Sequence, residues 1–187
     1  MARVTVSPAL FVPPMPVSII GTEVDGKPTF TTVAWFAKVN HQPPLLAIAV
    51  NTGHYLPRGI REHGTFSLNL PGRELVAETD YCGLVSGKRG DKSGVFETFE
   101  GELPRTPLIA ACPIAVECRL ERLVELPSNH LFIGEAVAVH TEERFLTDGK
   151  PDMAKIDPLL LSMPDNHYRT FGEAVGRAWH DGKALQR

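Results

Sequence analysis

The stretch Pro113-Ile114-Ala115-Val116-Glu117-Cys118-Arg119-Leu120-Glu121-Arg122-Leu123-Val124-Glu125-Leu126 decides the fold. Ile114, Val116, Cys118, Leu120, Val124 and Leu126 share one parity, and Glu117, Arg119, Glu121 and Glu125 share the other. Successive side chains of a strand point to opposite faces, so the pattern predicts a half-buried β-strand with one apolar and one solvent face. Arg122 is the one charge on the apolar parity. Downstream, residues 131–139 are apolar on both parities, which predicts a strand buried on both faces. Upstream, residues 45–50 form a continuous apolar run, read as a central strand, and 66–70 form another strand closed by Pro71-Gly72. Residues 16–24 and 29–37 read as strands on either side of Asp25-Gly26, a hairpin signal because both positions tolerate positive φ.

The predicted helices are short. Residues 55–63 form one, stopped by Gly64. Residues 73–82 form another, with Leu75, Val76 and Thr79 on one face and Gly83 as its C-cap. A third closes the tail over 171–179. Pro43-Pro44 breaks the chain, residues 86–94 are a polar glycine-rich loop, and Thr147-Asp148-Gly149 is a turn. Sixteen glycines and sixteen prolines are spread along the sequence, which favours many short elements. Hairpin-spaced strands with few helices predict a mainly β, β-rich α+β fold: an antiparallel barrel, not a doubly wound sheet. The 187 residues suit one domain, with a core over about 16–142 and a C-terminal extension over 143–187.

The net charge of -3 creates no global basic field, so neither nucleic acid nor a membrane surface is an expected partner. The longest apolar run, 45–50, is too short to span a bilayer. Cys82, Cys112 and Cys118 are odd in number and form no C-x-x-C pair, which points to a reducing cytoplasm rather than a disulfide scaffold. Residues 1–21 lack the apolar segment of a signal peptide. No G-x-G-x-x-G or G-x-S-x-G motif is present. Gly87-Lys88-Arg89-Gly90-Asp91-Lys92-Ser93 fails as a P-loop because Asp91 stands where the glycine before Lys-Ser is needed. The seven histidines lack recognised metal-ligand spacing.

Three stretches carry a family resemblance in their order and spacing: Thr31-Thr32-Val33-Ala34-Trp35 with Pro43-Pro44, Asp80 to Gly87 with Asp91-Lys92-Ser93, and Phe132-Ile133-Gly134-Glu135. Together they resemble the flavin reductase-like proteins with an FMN-binding split barrel, the flavoredoxin branch in particular. The resemblance runs from about Pro16 to Leu185. It implies a homodimer with flavin mononucleotide (FMN) in a groove near the dimer interface. Electrons would enter from NAD(P)H or a redox protein and leave to a flavin, a protein or a metal species.

An FMN site must hold a phosphate dianion and set the electronics of the ring. With the resemblance, Thr31, Thr32, Val33, Ala34 and Trp35 become a wall for the ring. Their pattern alone is that of a good strand, with Thr31, Val33 and Trp35 on one face. Asn51, Thr52, Gly53, His54 and Tyr55 open a helix and suit either a phosphate or an ordinary cap. Ser86, Gly87, Lys88, Asp91 and Lys92 form a cationic loop that either neutralises a phosphate or is simply solvated. In many relatives a histidine precedes Phe-Ile-Gly-Glu by three residues, and here that position is Asn129. His130, one residue later, faces the opposite way unless a bulge restores it. Asn129 and His130 are therefore the candidates for catalysis.

Three functions stay open. The first is an NAD(P)H-dependent flavin or ferric reductase. The second is a non-enzymatic carrier of flavoredoxin type. The third is a binding module for another planar ligand, such as haem or a pyridoxal phosphate relative.

Overall fold

The computed structural model describes residues 2–7 and 14–186, so the leader-peptide reading at Met1 and 8–13 lies outside the described residues. The N-terminal half supplies β1 (Met15–Pro16), β2 (Ser18–Val24), β3 (Lys27–Val33), β4 (Phe36–Asn40), β5 (Leu45–Asn51), α1 (Leu56–His63), β6 (Thr65–Leu70) and α2 (Val76–Leu84). The short pair β7 (Thr98–Phe99) and β8 (Leu108–Ile109) precedes two long strands, β9 (Ile114–Glu125) and β10 (Asn129–His140). Then come β11 (Leu146–Thr147), β12 (Lys150–Pro151), α3 (Met153–Ile156), β13 (Leu160–Ser162) and β14 (His167–Arg169).

The main sheet is antiparallel with strand order β3-β2-β6-β9-β10-β5-β4. It rolls around a core of Ile20, Val33, Ile48, Val50, Phe66, Leu68, Val116, Cys118 and Phe132, with α1 contributing Leu56 and Ile60. A second cluster on the far side of β2 and β3 joins Ile19 and Phe30 to Cys82, Phe96, Ile109 and Cys112. The barrel is split because β3 and β4 are edge strands of the same sheet. No described helix is long and apolar enough to cross a membrane.

Several sequence expectations meet the structure directly. Asp25 and Gly26 take φ of 52° and 74°, the pair of left-handed residues that a two-residue hairpin needs. Gly64 caps α1 in the left-handed region. Asp148 and Gly149 likewise turn β11 into β12.

Others are corrected. The expected strand over 29–37 breaks at Ala34-Trp35, between β3 and β4, so Trp35 does not share the face of Thr31 and Val33. In β9 the pairing shifts between Ile133↔Arg122 and Gly134↔Leu120, leaving Glu121 as an extra residue. A bulge reverses strand parity. Leu123 therefore packs on the core, Val124 and Leu126 are exposed, and Arg122 is no longer an anomaly. Glu117, expected on the solvent face, is 0% exposed because the loop at 101–103 covers it. In β10 only Phe132 and Gly134 are fully buried, and Leu131 and Ile133 on the other face are half-exposed, so that face is open; past a second shift at Val137 the strand leaves the core and Val139 is 61% exposed. The helix begins as a 3-10 turn, Arg73–Leu75, and α2 runs on through Gly83 to Leu84, capped by the Val85 N–H on the Tyr81 carbonyl. Its buried residues are Thr79 and Cys82, while Val76 is exposed. Residues 171–179 are not helical. They touch too little of the body to supply the packing on which a short helix depends.

Candidate functional site

The hairpin at Asp25-Gly26 fixes which backbone groups face the split. A two-residue turn makes its flanking residues, Val24 and Lys27, a hydrogen-bonded pair. Counting by two, Thr29, Thr31 and Val33 bond to β2, while Phe30 and Thr32 turn their N–H and C=O groups to the free edge. The Phe30 carbonyl confirms the parity, since it accepts from Lys92 Nζ at 2.9 Å. Beyond Val33 the chain leaves β2, and the Trp35 carbonyl accepts from the Ala49 N–H at 2.9 Å.

Two adjoining pockets line this edge and share Asn51 and His54. One, of about 220 Å³, is bounded by Thr32, Val33, Ala34, Trp35, Ala49, Asn51, His54, Asn129, Leu161 and Met163. The other, of about 330 Å³, is bounded by Thr29, Thr31, Gly53, His54, Tyr55, Gly83, Leu84, Ser86, Gly87, Arg89 and Lys92. Together they match the size of an ordinary small-molecule site. At Gly87 a Cβ would come within 3.0 Å of Tyr55 Cδ1 and 3.1 Å of Thr29 Oγ1, so the loop crosses this bank only as bare backbone.

Both banks are pre-organised by their own hydrogen bonds. The Thr52 N–H donates to the Ser128 carbonyl, Gly53 N–H to Asn51 Oδ1 and His54 N–H to the Asn51 carbonyl, at 2.9–3.1 Å. These three amides are engaged and hold the turn that leads into α1, so none of them is a spare donor for an anion. Opposite, Ser86 closes a turn by accepting from the Arg89 and Gly90 N–H groups through its carbonyl and from the Lys88 N–H through Oγ.

The charges divide into two groups. Lys88 is exposed and faces a wider opening of about 620 Å³ with Thr52, His54, Tyr55, Arg58, Arg61 and His130. Lys92, expected in a solvated loop, is 3% exposed and bridges the Phe30 and Cys82 carbonyls, both at 2.9 Å. It therefore ties β3 to α2 as a fixed charge beside the groove, with burial pushing its pKa down. Asp91 anchors the same loop by accepting from Lys27 Nζ at 2.7 Å and the Ser93 N–H at 2.9 Å, which hold its carboxyl well below the usual range. Tyr55 donates to Asp25 Oδ2 at 2.7 Å, where Arg58 also binds. His54 Nδ1 lies 3.2 Å from Thr31 Oγ1. Burial, then Lys92 and Lys88, push its pKa below the ordinary 6.5, so the ring is neutral near pH 7.

Asn129 and His130 separate. Asn129 pairs with Asn51 and lines the groove, whereas His130 opens beside Arg61. The β9–β10 register is continuous over Leu131, Phe132 and Ile133, so no bulge there turns His130 back. The sequence reading did not single out Leu161 and Met163. They reach the groove because β13 pairs with β1, Met15 against Leu161, a contact with no local signal.

The flavin reductase like domain family matches residues 13–170. The crystal structure of flavoredoxin from Methanosarcina acetivorans is 46% identical, covers 100% of both chains and overlays with a TM-score of 0.97. Flavoredoxin of Desulfovibrio vulgaris (Miyazaki F) is 31% identical over 97% of this chain and 100% of its own, with a TM-score of 0.88. A protein from Aeropyrum pernix is 33% identical over 71% of this chain, and the match spans 51% of that relative's length. The chain belongs to the flavin reductase-like family, on its flavoredoxin branch.

Proposed function

We propose that this groove holds FMN and that the protein passes electrons through it, from reduced nicotinamide or a redox partner to a flavin, protein or metal acceptor. The observation that carries the reading is the open edge of β3, where Thr32 turns its backbone outward beside the small side chain of Ala34. A flat ring laid there meets backbone donors and small side chains. Thr31, Thr32, Val33, Ala34 and Trp35 would border the ring. Asn51, Thr52, Gly53, His54 and Tyr55 would face Ser86, Gly87 and Lys88 across the phosphate end. Lys88 supplies the exposed cation, while Asp91 and Lys92 hold its loop in place.

When bound, FMN supplies a centre that accepts a hydride and releases single electrons. The chain's own residues orient it and set the local field. The Lys92 ammonium, desolvated and immobile, favours negative charge at its end of the groove. Neutral His54 offers a hydrogen bond without a charge of its own. Asn129 positions and does not exchange protons near pH 7. No groove residue needs to act as an acid or base, so binding is the part of the function best supported.

The visible spectrum of the purified protein tests FMN binding, and a colourless chain that refuses added FMN would sink the reading. Anaerobic mixing with NADH or NADPH separates the two modes of action. Bleaching of the flavin band at catalytic rates marks a reductase. Slow bleaching by nicotinamide but rapid reduction by a redox protein marks a non-enzymatic carrier. The open face of β10, with half-exposed Leu131 and Ile133, suits burial against a second copy. A monomer by light scattering at micromolar concentration would refute the homodimer.

A further inference from the structure

Residues 171–186 follow β14 and lie beyond the segment 13–170 that matches the family domain. They form an arm that stands off its own body. Val175 is 102% and Trp179 95% exposed, and Phe171 and Leu185 are exposed as well. The arm nevertheless has internal order. The Arg177 N–H donates to Asp181 Oδ2 at 2.8 Å, His180 Nδ1 meets Asp181 Oδ1 at 2.9 Å, and Asp181–Leu185 is a 3-10 turn. Its root is held near the groove, because Tyr168 donates to Asp80 Oδ1 on α2 at 3.1 Å.

The groove has a matching apolar rim. Leu84 on α2 borders one pocket, Trp35 and Met163 border the other, and all three are exposed; Tyr81, three residues before Leu84 on the same helix, extends the exposed apolar surface from there. We propose that the arm crosses to a second copy of this chain and seats Phe171, Val175 and Trp179 on the rim of that copy's groove. Three observations select a second copy over an unrelated partner. Every chain carries both an arm and a rim, so a twofold pair seats two arms at once and closes on itself. Glu173 and Asp181 balance Arg177 and Lys183, so the arm has no net charge to draw a polyanion or a basic protein. Aromatic side chains bury about 150–250 Å² each. Two arms on two rims therefore approach the roughly 1,200–2,000 Å² of a stable interface, and one arm on a foreign surface falls well short. Nine residues, 171–179, span up to about 30 Å when extended, enough to cross a dimer axis.

Naming the rim as the edge of a cofactor groove rests on the FMN reading, whereas the contact itself does not. The test places the photo-crosslinker benzoylphenylalanine at Trp179 in the full-length protein, mixed with wild-type chains bearing a different tag. Irradiation is expected to join differently tagged chains, with crosslinks at Trp35, Tyr81, Leu84 or Met163. Crosslinks confined to one chain, crosslinks to another surface, or none at all would overturn the proposal. In a second measurement, Trp179→Glu is expected to weaken FMN binding about tenfold. Unchanged FMN affinity in that variant would refute the covering of the groove. Failure of wild type to bind FMN, with rim crosslinks intact, would count against the FMN reading alone and leave the arm contact supported.

Discussion

Glu117→Gln is the substitution whose outcome the structure constrains best. The Glu117 carboxylate is fully buried and accepts from the Glu102 N–H at 3.0 Å, the Leu103 N–H at 2.5 Å and His140 Nε2 at 2.7 Å. Glutamine keeps the shape but only one acceptor oxygen, and turns an NH₂ group toward groups that are themselves donors. Hydrogen bonds to charged groups are worth about 1.5–3 kcal/mol each, and a partner left unmade in the interior carries its full desolvation cost, so the variant should lose ~2–4 kcal/mol. In a domain of this size that corresponds to a fall in Tm of about 5–15 °C.

The pH dependence sharpens the test. Burial pushes the Glu117 carboxyl up, but the Leu103 N–H, His140 and the Glu102 N–H outweigh it, and the net shift is below the ordinary 4.5. A lowered folded pKa means that the unfolded chain takes the proton first. The stabilisation is complete above the unfolded pKa and is lost as pH falls through the folded one. Urea unfolding of wild type and variant at about pH 7 and about pH 4 should therefore show a gap that narrows in acid. A loss under ~1 kcal/mol at neutral pH, or a gap equal at both pH values, would refute the account of Glu117 as an ionised anchor for the 101–103 loop.

Lys92→Met strands the Phe30 and Cys82 carbonyls and removes the buried charge, so FMN affinity should fall by about tenfold, or ~1.4 kcal/mol. Fluorescence titration checks this, and wild-type affinity would count against the fixed-charge role. His54 should titrate below 6.5 by NMR in the FMN-free protein, and its midpoint should rise in Lys88→Gln; a midpoint at or above 6.5 would contradict the burial that lowers it. Burial pushes Cys82 up to about 11 and Cys118 up to about 12, and raises Cys112 as well. All three thiols should resist Ellman's reagent in the native state and react together in denaturant. Rapid labelling of the folded protein would show a more open structure at one of them.

What the sequence displayed was local, and what it hid was long-range. The alternation at 114–120 and the Asp25-Gly26 turn are written in neighbouring residues; the turn forms as read and so does the strand, although both of its faces are covered over 115–118. The bulge at Glu121 showed itself only as a misplaced Arg122, because a parity change is invisible until the partner strand is known. Glu117 and Lys92 look like solvated charges on any local count. Their burial depends on a loop at 101–103 in one case and on carbonyls from β3 and α2 in the other. Leu161 and Met163 enter the groove through the pairing of Leu161 with Met15, 146 residues earlier in the chain. The tail has a helical pattern, but helix formation this short requires a surface to pack on, and its own body offers none.

The same strand break that spoiled the simplest reading of Thr31 to Trp35 is what suits the stretch to the role of wall in the proposed site. An unbroken strand through 29–37 would present only one more edge. By ending at Val33 and restarting at Phe36, the chain hands off from β2 to β5, and the two-residue connector Ala34-Trp35 bridges the split in the barrel. The hairpin upstream sets the phase, so that Thr32 is an outward residue at the point where pairing stops. Turn chemistry at Asp25-Gly26 thus decides, seven residues later, which backbone groups are left for a ligand. Side-chain identity then acts second: Ala34 is small where it borders one pocket, and Lys92, held on the Phe30 and Cys82 carbonyls, places its charge beside the adjoining one. In the proposed site backbone register therefore comes first, and Asp91 and Lys92, which look most like chemistry, hold the neighbouring loop in place.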